Sequence, residues 1–282
     1  MIGLLQPETG RQLALSHPMT RGLVMAVNFA AQGVNSGAGS EIALIPEDTG
    51  VAGPGRWLNA SVSYTSGVNR FGRWVGFNNA NTSSFLEWQR SDFVPTTAVS
   101  ILMLYEKADS TNRNCLAGSV DYGLGSNTNS CNHHVPFSDG VVYFDWGGNT
   151  NGVTRVQVGG LTFGADRWVF TVGARGMEIW QNGVKQASNG ATPTRNKDAT
   201  MAFKLGASVS GSGTLCDIAH WNVYAMWSRQ LTPDEIVTVT ADPYLLWEQP
   251  SAFAFTLTQD IVAGSAYTGG RMIYRVTPER WG

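Results

Sequence analysis

Charge is scarce in this chain. Asp, Glu, Lys and Arg supply 14% of its 282 residues, where soluble globular proteins carry roughly a quarter. The 19 basic residues are scattered without a run and the net charge is −2. That argues against a polyanion-binding surface, so nucleic acid is not an expected partner. Cysteine is scarcer still. Cys115, Cys131 and Cys216 are an odd number at wide spacing, which suits reduced, buried thiols more than a disulfide framework, with a Cys115–Cys131 bridge as the alternative. Apolar runs are short, and none approaches the roughly 18 residues needed to span a bilayer. The opening MIGLLQPETGRQLALSHP lacks the basic start, apolar core and small-residue cleavage site of a secretory signal. No membrane association is expected, and folding is expected in a cytoplasm.

Catalytic signatures are also lacking. There is no P-loop, nucleophile elbow or dinucleotide fingerprint, and Gly123-Leu124-Gly125 is an isolated fragment. The four histidines are too sparse to argue a triad. No two acidic residues stand at i and i+2, the strand spacing that would project two glycosidase carboxylates about 5 Å apart into a cleft. A pair from different strands, such as Glu178 with Asp145, is the remaining route to that chemistry. The adjacent Asp234 and Glu235 are accounted for by a helix start, where the dipole favours negative charge. The chain is therefore not expected to be an enzyme, and no cofactor is expected beyond a calcium ion at one loop rim described below.

What the chain has is strand pattern and turn chemistry. In WVFTVGARGMEIWQNGVKQ, residues 168–186, Trp168, Phe170 and Val172 alternate with Val169 and Thr171. Ala174-Arg175-Gly176 then turns the chain into Met177, Ile179 and Gln181. Asn182-Gly183 closes the next turn, because both residues tolerate the positive φ angles of a type I′ hairpin. This spells an antiparallel meander. Further strands are predicted at GLVMAVNF from Gly22, Ser61–Tyr64, Arg73–Phe77, Ser84–Trp88, Ala98–Glu106, Val141–Trp146, Arg155–Val158, Ala202–Leu205 and Ile218–Met226, most separated by Gly, Asn, Ser or Pro. One helix is marked: Thr232 can cap it, Glu235 can reach back, Pro233 fits its first position, and Leu231 can staple onto Ile236. Asp242-Pro243 should end it.

These pieces predict an all-β chain, an antiparallel sandwich with one short helix. Residues 1–20 read as an N-terminal arm, 21–250 as the domain, and 251–282 as an extended C-terminal arm. The last segment alternates and ends in RMIYRV, so Arg271, Tyr274, Arg275 and Trp281 are its candidate partner-binding residues, with Arg280 and Glu279 beside them.

The phrases HPMTRGLVMAVNF, RWVGFNNANTSSFLEW, Asn182-Gly183-Val184 and AMWSRQLTPDEIVTVTADPYLLW occur in an order that resembles the laminin-G-like branch of the concanavalin A-like lectin/glucanase superfamily. The resemblance spans roughly residues 17–248 and implies a jelly roll of two packed antiparallel sheets. Domains that open and close with such phrases look most like phage structural proteins. That implies a non-enzymatic virion component, such as a capsid decoration protein, assembled in the host cytoplasm and bound to other virion proteins such as the major capsid protein, with homo-oligomers expected. A receptor-binding or adhesive module recognising host glycan is the alternative, and a glycoside hydrolase the third. Where the family has Trp-His-His at the meander's first strand, this chain has Arg167-Trp168-Val169, and no family binding residue carries over.

Three groups of residues are candidates for chemistry. Asp145, Asn149 and Asn151 offer oxygen ligands beside Trp146, a stacking face, as lectin-like sandwiches bind calcium and sugars at a sheet rim; the same Asn and Gly residues are what turns require. Cys131, His133, Cys216 and His220 are zinc-ligand types. Strand positions i and i+4 lie some 13 Å apart, however, so a buried thiol and solvated loop histidines are expected instead. Among the tryptophans, Trp57, Trp74, Trp88, Trp168 and Trp221 fall in apolar strand patterns and are expected in the core, whereas Trp146, Trp180 and Trp247 are better placed for exposure.

Overall fold

The structure, a computed structural model, describes residues 13–14, 16–29, 56–58, 64–77, 85–88, 91–107, 116–119, 128–197, 202–206 and 219–247. The predicted meander lies at one side of its larger sheet. Asn182 takes φ 53° and Gly183 φ 81°, the type I′ turn that the dipeptide favours. The Asn182 side chain then ties the turn down, its Oδ1 accepting from the Arg167 amide at 3.0 Å.

Fifteen strands lie among the described residues: β1 Leu23–Asn28, β2 Arg56–Leu58, β3 Tyr64–Asn69, β4 Gly72–Phe77, β5 Phe85–Trp88, β6 Val99–Lys107, β7 Leu116–Ser119, β8 Cys131–His134, β9 Val142–Trp146, β10 Arg155–Val158, β11 Ala165–Gly173, β12 Gly176–Gln181, β13 Val184–Asn189, β14 Phe203–Leu205 and β15 Ala219–Trp227. The larger sheet runs β13-β12-β11-β6-β15-β4-β3, with β1 also on β15; the smaller runs β10-β9-β8-β7-β14-β5-β2. All strand pairings are antiparallel. Sequence neighbours are often separated in the sheets, and the result is an antiparallel jelly-roll β-sandwich.

Period-two alternation decides what fills the space between the sheets. From the larger sheet come Ile101, Met103, Tyr105, Trp168, Phe170, Val172, Met177, Ile179, Trp221, Tyr224 and Met226; from the smaller come Trp88, Cys131, Val142, Phe144, Trp146, Val156, Phe203 and Leu205. The larger sheet has a second apolar face. Leu102, Leu104, Val169, Trp180, Val223, Ala225 and Trp227 pack there with Leu231, Ile236, Val239, Tyr244, Leu246 and Trp247. Helix α1, Pro233–Ala241, and the 3₁₀ turn Pro243–Leu246 supply that cover. Strands β6, β11 and β15 are therefore apolar on both sides, as a twice-covered strand must be.

The helix begins as its sequence dictates. Thr232 Oγ1 accepts from the Glu235 amide at 3.2 Å, and Glu235 Oε2 accepts from the Thr232 amide at 2.8 Å, the two halves of a capping box. The described part of the segment 1–20 is seated on the domain: Leu13 bridges to Trp247, and Met19 accepts at its carbonyl from Trp227 Nε1 at 2.7 Å.

The sequence reading missed β2, β7 and β8, and placed β3 at Ser61–Tyr64 where it occupies Tyr64–Asn69. The largest correction is β8. Cys131–His134 reads as part of a polar loop with solvated histidines, yet all four residues are buried. Pairing to β7 and β9 satisfies its backbone, and cover on both faces overrides its local polarity. Cys131 is a free thiol, which rules out the alternative bridge to Cys115, and burial pushes its pKa up to about 12. Cys115, Cys216, Arg271, Tyr274, Arg275 and Trp281 lie outside the described residues.

Candidate functional site

The rim expected to hold a sugar or calcium is built differently from the expectation. Trp146 is fully buried because alternation along β9 turns it, with Val142 and Phe144, into the core. Asp145 points the other way, but both its oxygens are taken by Arg155: Nε to Oδ1 at 2.5 Å and Nη2 to Oδ2 at 2.7 Å. Burial raises the Asp145 carboxyl against the pull of that guanidinium. Asn149 and Asn151 are exposed in a loop organised by the Thr150 carbonyl, which accepts from the amides of Val153, Thr154 and Arg155. The rim thus has turn chemistry, without the carboxylate and aromatic face expected of it.

The other predicted groupings separate as well. Cys131 and His133 face the core between the sheets, whereas His220, between core-facing Ala219 and Trp221, lies on the outer face of the larger sheet. Among the described residues no three His, Cys, Asp or Glu could hold one metal ion. Glu178 shares the outer face of the larger sheet with Trp180, which donates Nε1–H to its Oε2 at 3.1 Å. Asp145 lies on the outer face of the smaller sheet, so the two carboxylates have the core between them. The tryptophans reverse the expectation in part: Trp146, Trp180 and Trp247 are buried, while Trp74 is half-buried.

The outer face of the larger sheet changes character towards one end. Along β6 the outward residues run Leu102, Leu104, then Glu106; along β15 they run Trp227, Ala225, Val223 and, past a bulge, His220. His220 Nδ1 lies 2.9 Å from Glu106 Oε2, which also accepts from Asn69 Nδ2 at 3.0 Å. Burial would raise the Glu106 carboxyl, but the Asn69 and His220 hydrogen bonds, with the charges of His220 and Arg70, hold it below the usual range. Trp74 stacks on the His220 ring with centroids 3.5 Å apart. Gly67 makes room for that indole, since a Cβ there would lie 2.5 Å from Trp74 Cζ2.

Beside this cluster lies a depression of about 650 Å³, lined by Arg70, the loop Gly160–Gly164, Asp166, Gln181, Asn182, Val184 and Gln186. Asp166 organises it. Its Oδ1 accepts from Asn182 Nδ2 at 2.7 Å, and its Oδ2 from Gln181 Nε2 at 3.0 Å and the Gly164 amide at 2.9 Å. Gln181 Nε2 also donates to the Thr162 carbonyl at 2.9 Å. Arg70 donates to the Ala165 carbonyl and lies 3.6 Å from Asp166. Leu161 and Phe163 pack against the core, and Val184 stands 61% exposed on the wall. None of these residues was singled out as a ligand group in the sequence. Arg70, Asp166 and the hairpin come together only through the fold, and Asn182 was read as a turn residue alone.

No protein-family model and no curated protein matches the chain in sequence. Solved structures do match in fold. Domain 4 of AbnA, an extracellular GH43 arabinanase from Geobacillus stearothermophilus, in complex with arabinotriose, aligns at 14% identity and TM-score 0.54, over 77% of this chain and 98% of that one. The binding domain of botulinum neurotoxin serotype G aligns at 10% identity and TM-score 0.51, over 78% of this chain and 50% of that one. At these identities the likeness is one of fold, and it places the chain among β-sandwich domains.

Proposed function

We propose that this chain is a non-enzymatic structural component of a bacteriophage virion, a capsid decoration or similar surface component. In this reading the sandwich is displayed, and the segment 251–282 attaches it to other virion proteins such as the major capsid protein, in a homo-oligomer. The observation that carries the non-catalytic part is the use made of the buried carboxylates. Asp145 is clamped by Arg155. Glu178 is held by Arg175 at 3.2 Å, Thr171 at 3.2 Å and Trp180 at 3.1 Å, and Asp166 by the three donors of its loop and hairpin. Each is committed to structure, where a general acid or nucleophile needs a free face towards substrate. The virion part rests on the resemblance of the opening and closing phrases to phage structural proteins. Deleting residues 251–282 should abolish incorporation into particles while leaving the sandwich folded; undiminished occupancy of particles would overturn the attachment.

A second reading, receptor or glycan recognition, is favoured by the mixed polar and apolar end of the larger sheet. The fold is shared with an arabinanase domain solved with arabinotriose and with a neurotoxin binding domain, which supports a binding role.

A further inference from the structure

We propose that Asn151 is a site of spontaneous covalent modification: of the Asn-Gly pairs in this chain, the fold leaves Asn151-Gly152 open to deamidation and holds the others shut. The sequence has three such pairs, Asn151-Gly152, Asn182-Gly183 and Asn189-Gly190, and all lie among the described residues. The chemistry is intrinsic to the chain and needs no virion partner.

Glycine after asparagine matters because it has no side chain to shield its amide or restrict the backbone. The glycine nitrogen attacks the asparagine Cγ, and the new Cγ–N bond closes a succinimide ring. The side-chain nitrogen leaves as ammonia, taking the proton that the glycine amide loses. Water then opens the ring at either carbonyl, giving aspartate or isoaspartate. No oxidant, metal or cofactor enters this balance. The first step requires the carboxamide to swing onto the following amide, so a contact that fixes it elsewhere slows the reaction.

Two of the carboxamides are fixed in that way. Asn182 Oδ1 accepts from the Arg167 amide at 3.0 Å, and its Nδ2 donates to Asp166 Oδ1 at 2.7 Å. The Asn182 amide itself donates to the Arg167 carbonyl at 2.7 Å, so the side chain is drawn back against β11 and not towards the Gly183 amide. Asn189 Nδ2 donates to the Arg155 carbonyl at 3.0 Å, and its Oδ1 accepts from the Ala191 amide at 3.0 Å. Asn151 differs. It is exposed, as are Gly152 and Val153 after it, and its side chain makes no hydrogen bond among the described residues. Nothing lies within 4 Å of the place a Gly152 Cβ would take, so the carboxamide has room to turn. One restraint remains, the Gly152 amide, which donates to the Arg155 carbonyl at 3.0 Å. That bond lies in an exposed loop, where local opening costs little. Conversion adds a negative charge to a net of −2, and isoaspartate, which lengthens the backbone, would also break the Asn151–Arg155 bridge.

The test incubates the full chain, folded and in guanidinium chloride, in mildly alkaline heavy-oxygen water and follows each pair by peptide mass mapping. Hydrolysis of the succinimide installs a heavy oxygen, which marks the residue that reacted. In denaturant the three pairs should react at similar rates. In the folded protein Asn151 should keep a rate within a few-fold of that, while Asn182 and Asn189 fall by about tenfold or more, the worth of two neutral hydrogen bonds each. Asp166→Ala, checked for a cooperative unfolding transition, removes the acceptor of Asn182 Nδ2 and should raise the Asn182 rate about three- to tenfold, with Asn151 unaffected. The wild-type ranking decides by itself if that variant fails to fold. Asn182 or Asn189 reacting as fast as Asn151 in the folded protein, or Asn151 slowed as strongly as the other two, would overturn the assignment. An Asn182 rate unmoved in folded Asp166→Ala would overturn the clamp as the cause of protection.

Discussion

Acidification should unfold this sandwich earlier than its carboxylates alone would require, because two histidines are buried in the neutral form. His133 sits between Phe170 and Tyr224, ring centroids 5.4 Å and 5.8 Å away, and neither ring nitrogen has a hydrogen-bond partner among the described residues. Burial, with the His134 charge beside it, lowers its pKa to about 3. His134 is packed edge-on against Phe137 and Tyr143. Burial and the Arg155 charge, opposed by Asp139, lower its pKa to about 3 as well. In the unfolded chain both would titrate near 6.5. The unfolded state therefore binds more protons as pH falls through about 6.5, and stability falls with it by about 1.4 kcal/mol per pH unit per histidine. Both contributions are fully present above about 6.5, and by pH 5 each has lost about 2 kcal/mol, roughly 4 kcal/mol together. That is a large share of the roughly 5–15 kcal/mol of a typical domain.

Other groups act elsewhere on the scale. Glu106, Glu178, Glu235 and Asp139 have lowered pKa values in the fold, so their stabilisation is lost only below about pH 4.5. Asp145 is shifted up and acts in the opposite sense. Urea unfolding followed by tryptophan fluorescence between about pH 7.5 and 5 isolates the histidine window. His133→Phe or His134→Phe, each an aromatic replacement in an aromatic setting, should roughly halve the loss. Stability flat to within about 0.5 kcal/mol across that range, or a slope unchanged in both variants, would refute the buried neutral pair.

Two further perturbations address other parts of the account. Thr232→Ala removes one half of the capping box and should cost about 1 kcal/mol in urea unfolding. Asp145→Ala leaves Arg155 without its carboxylate and should cost about 1.5–3 kcal/mol, the range for hydrogen bonds to a charged group, because Arg155 itself is partly exposed. Wild-type stability unaffected by calcium, measured alongside, would agree with a carboxylate already occupied by Arg155.

The meander, the capped helix and most strands were legible because their signals are local: alternation, Asn-Gly, and Thr-Pro-Asp-Glu. What escaped depends on which faces are covered. Alternation places Trp146 and Asp145 on opposite faces of β9 but does not say which face is the core. Trp180 and Trp247 are buried because α1 and its following turn cover the larger sheet a second time. Trp74 is half-buried because β4 lies near the end of that face, where Gly67, His220 and Glu106 replace the apolar residues. Cys131–His134 became a strand because β7 and β9 pair with it on both sides, a long-range fact with no trace in a polar tetrapeptide. The depression joins residues from Arg70 to Gln186, and no sequence spacing could have marked it.

The proposal that this β-sandwich is a displayed, non-catalytic part of a virion remains to be tested on particles. Electron microscopy of intact particles, with the protein located by difference against particles lacking it, tests that most directly. Density for the sandwich on the particle surface, in several symmetry-related copies, is the predicted result. Particles complete and identical with and without the protein would contradict it.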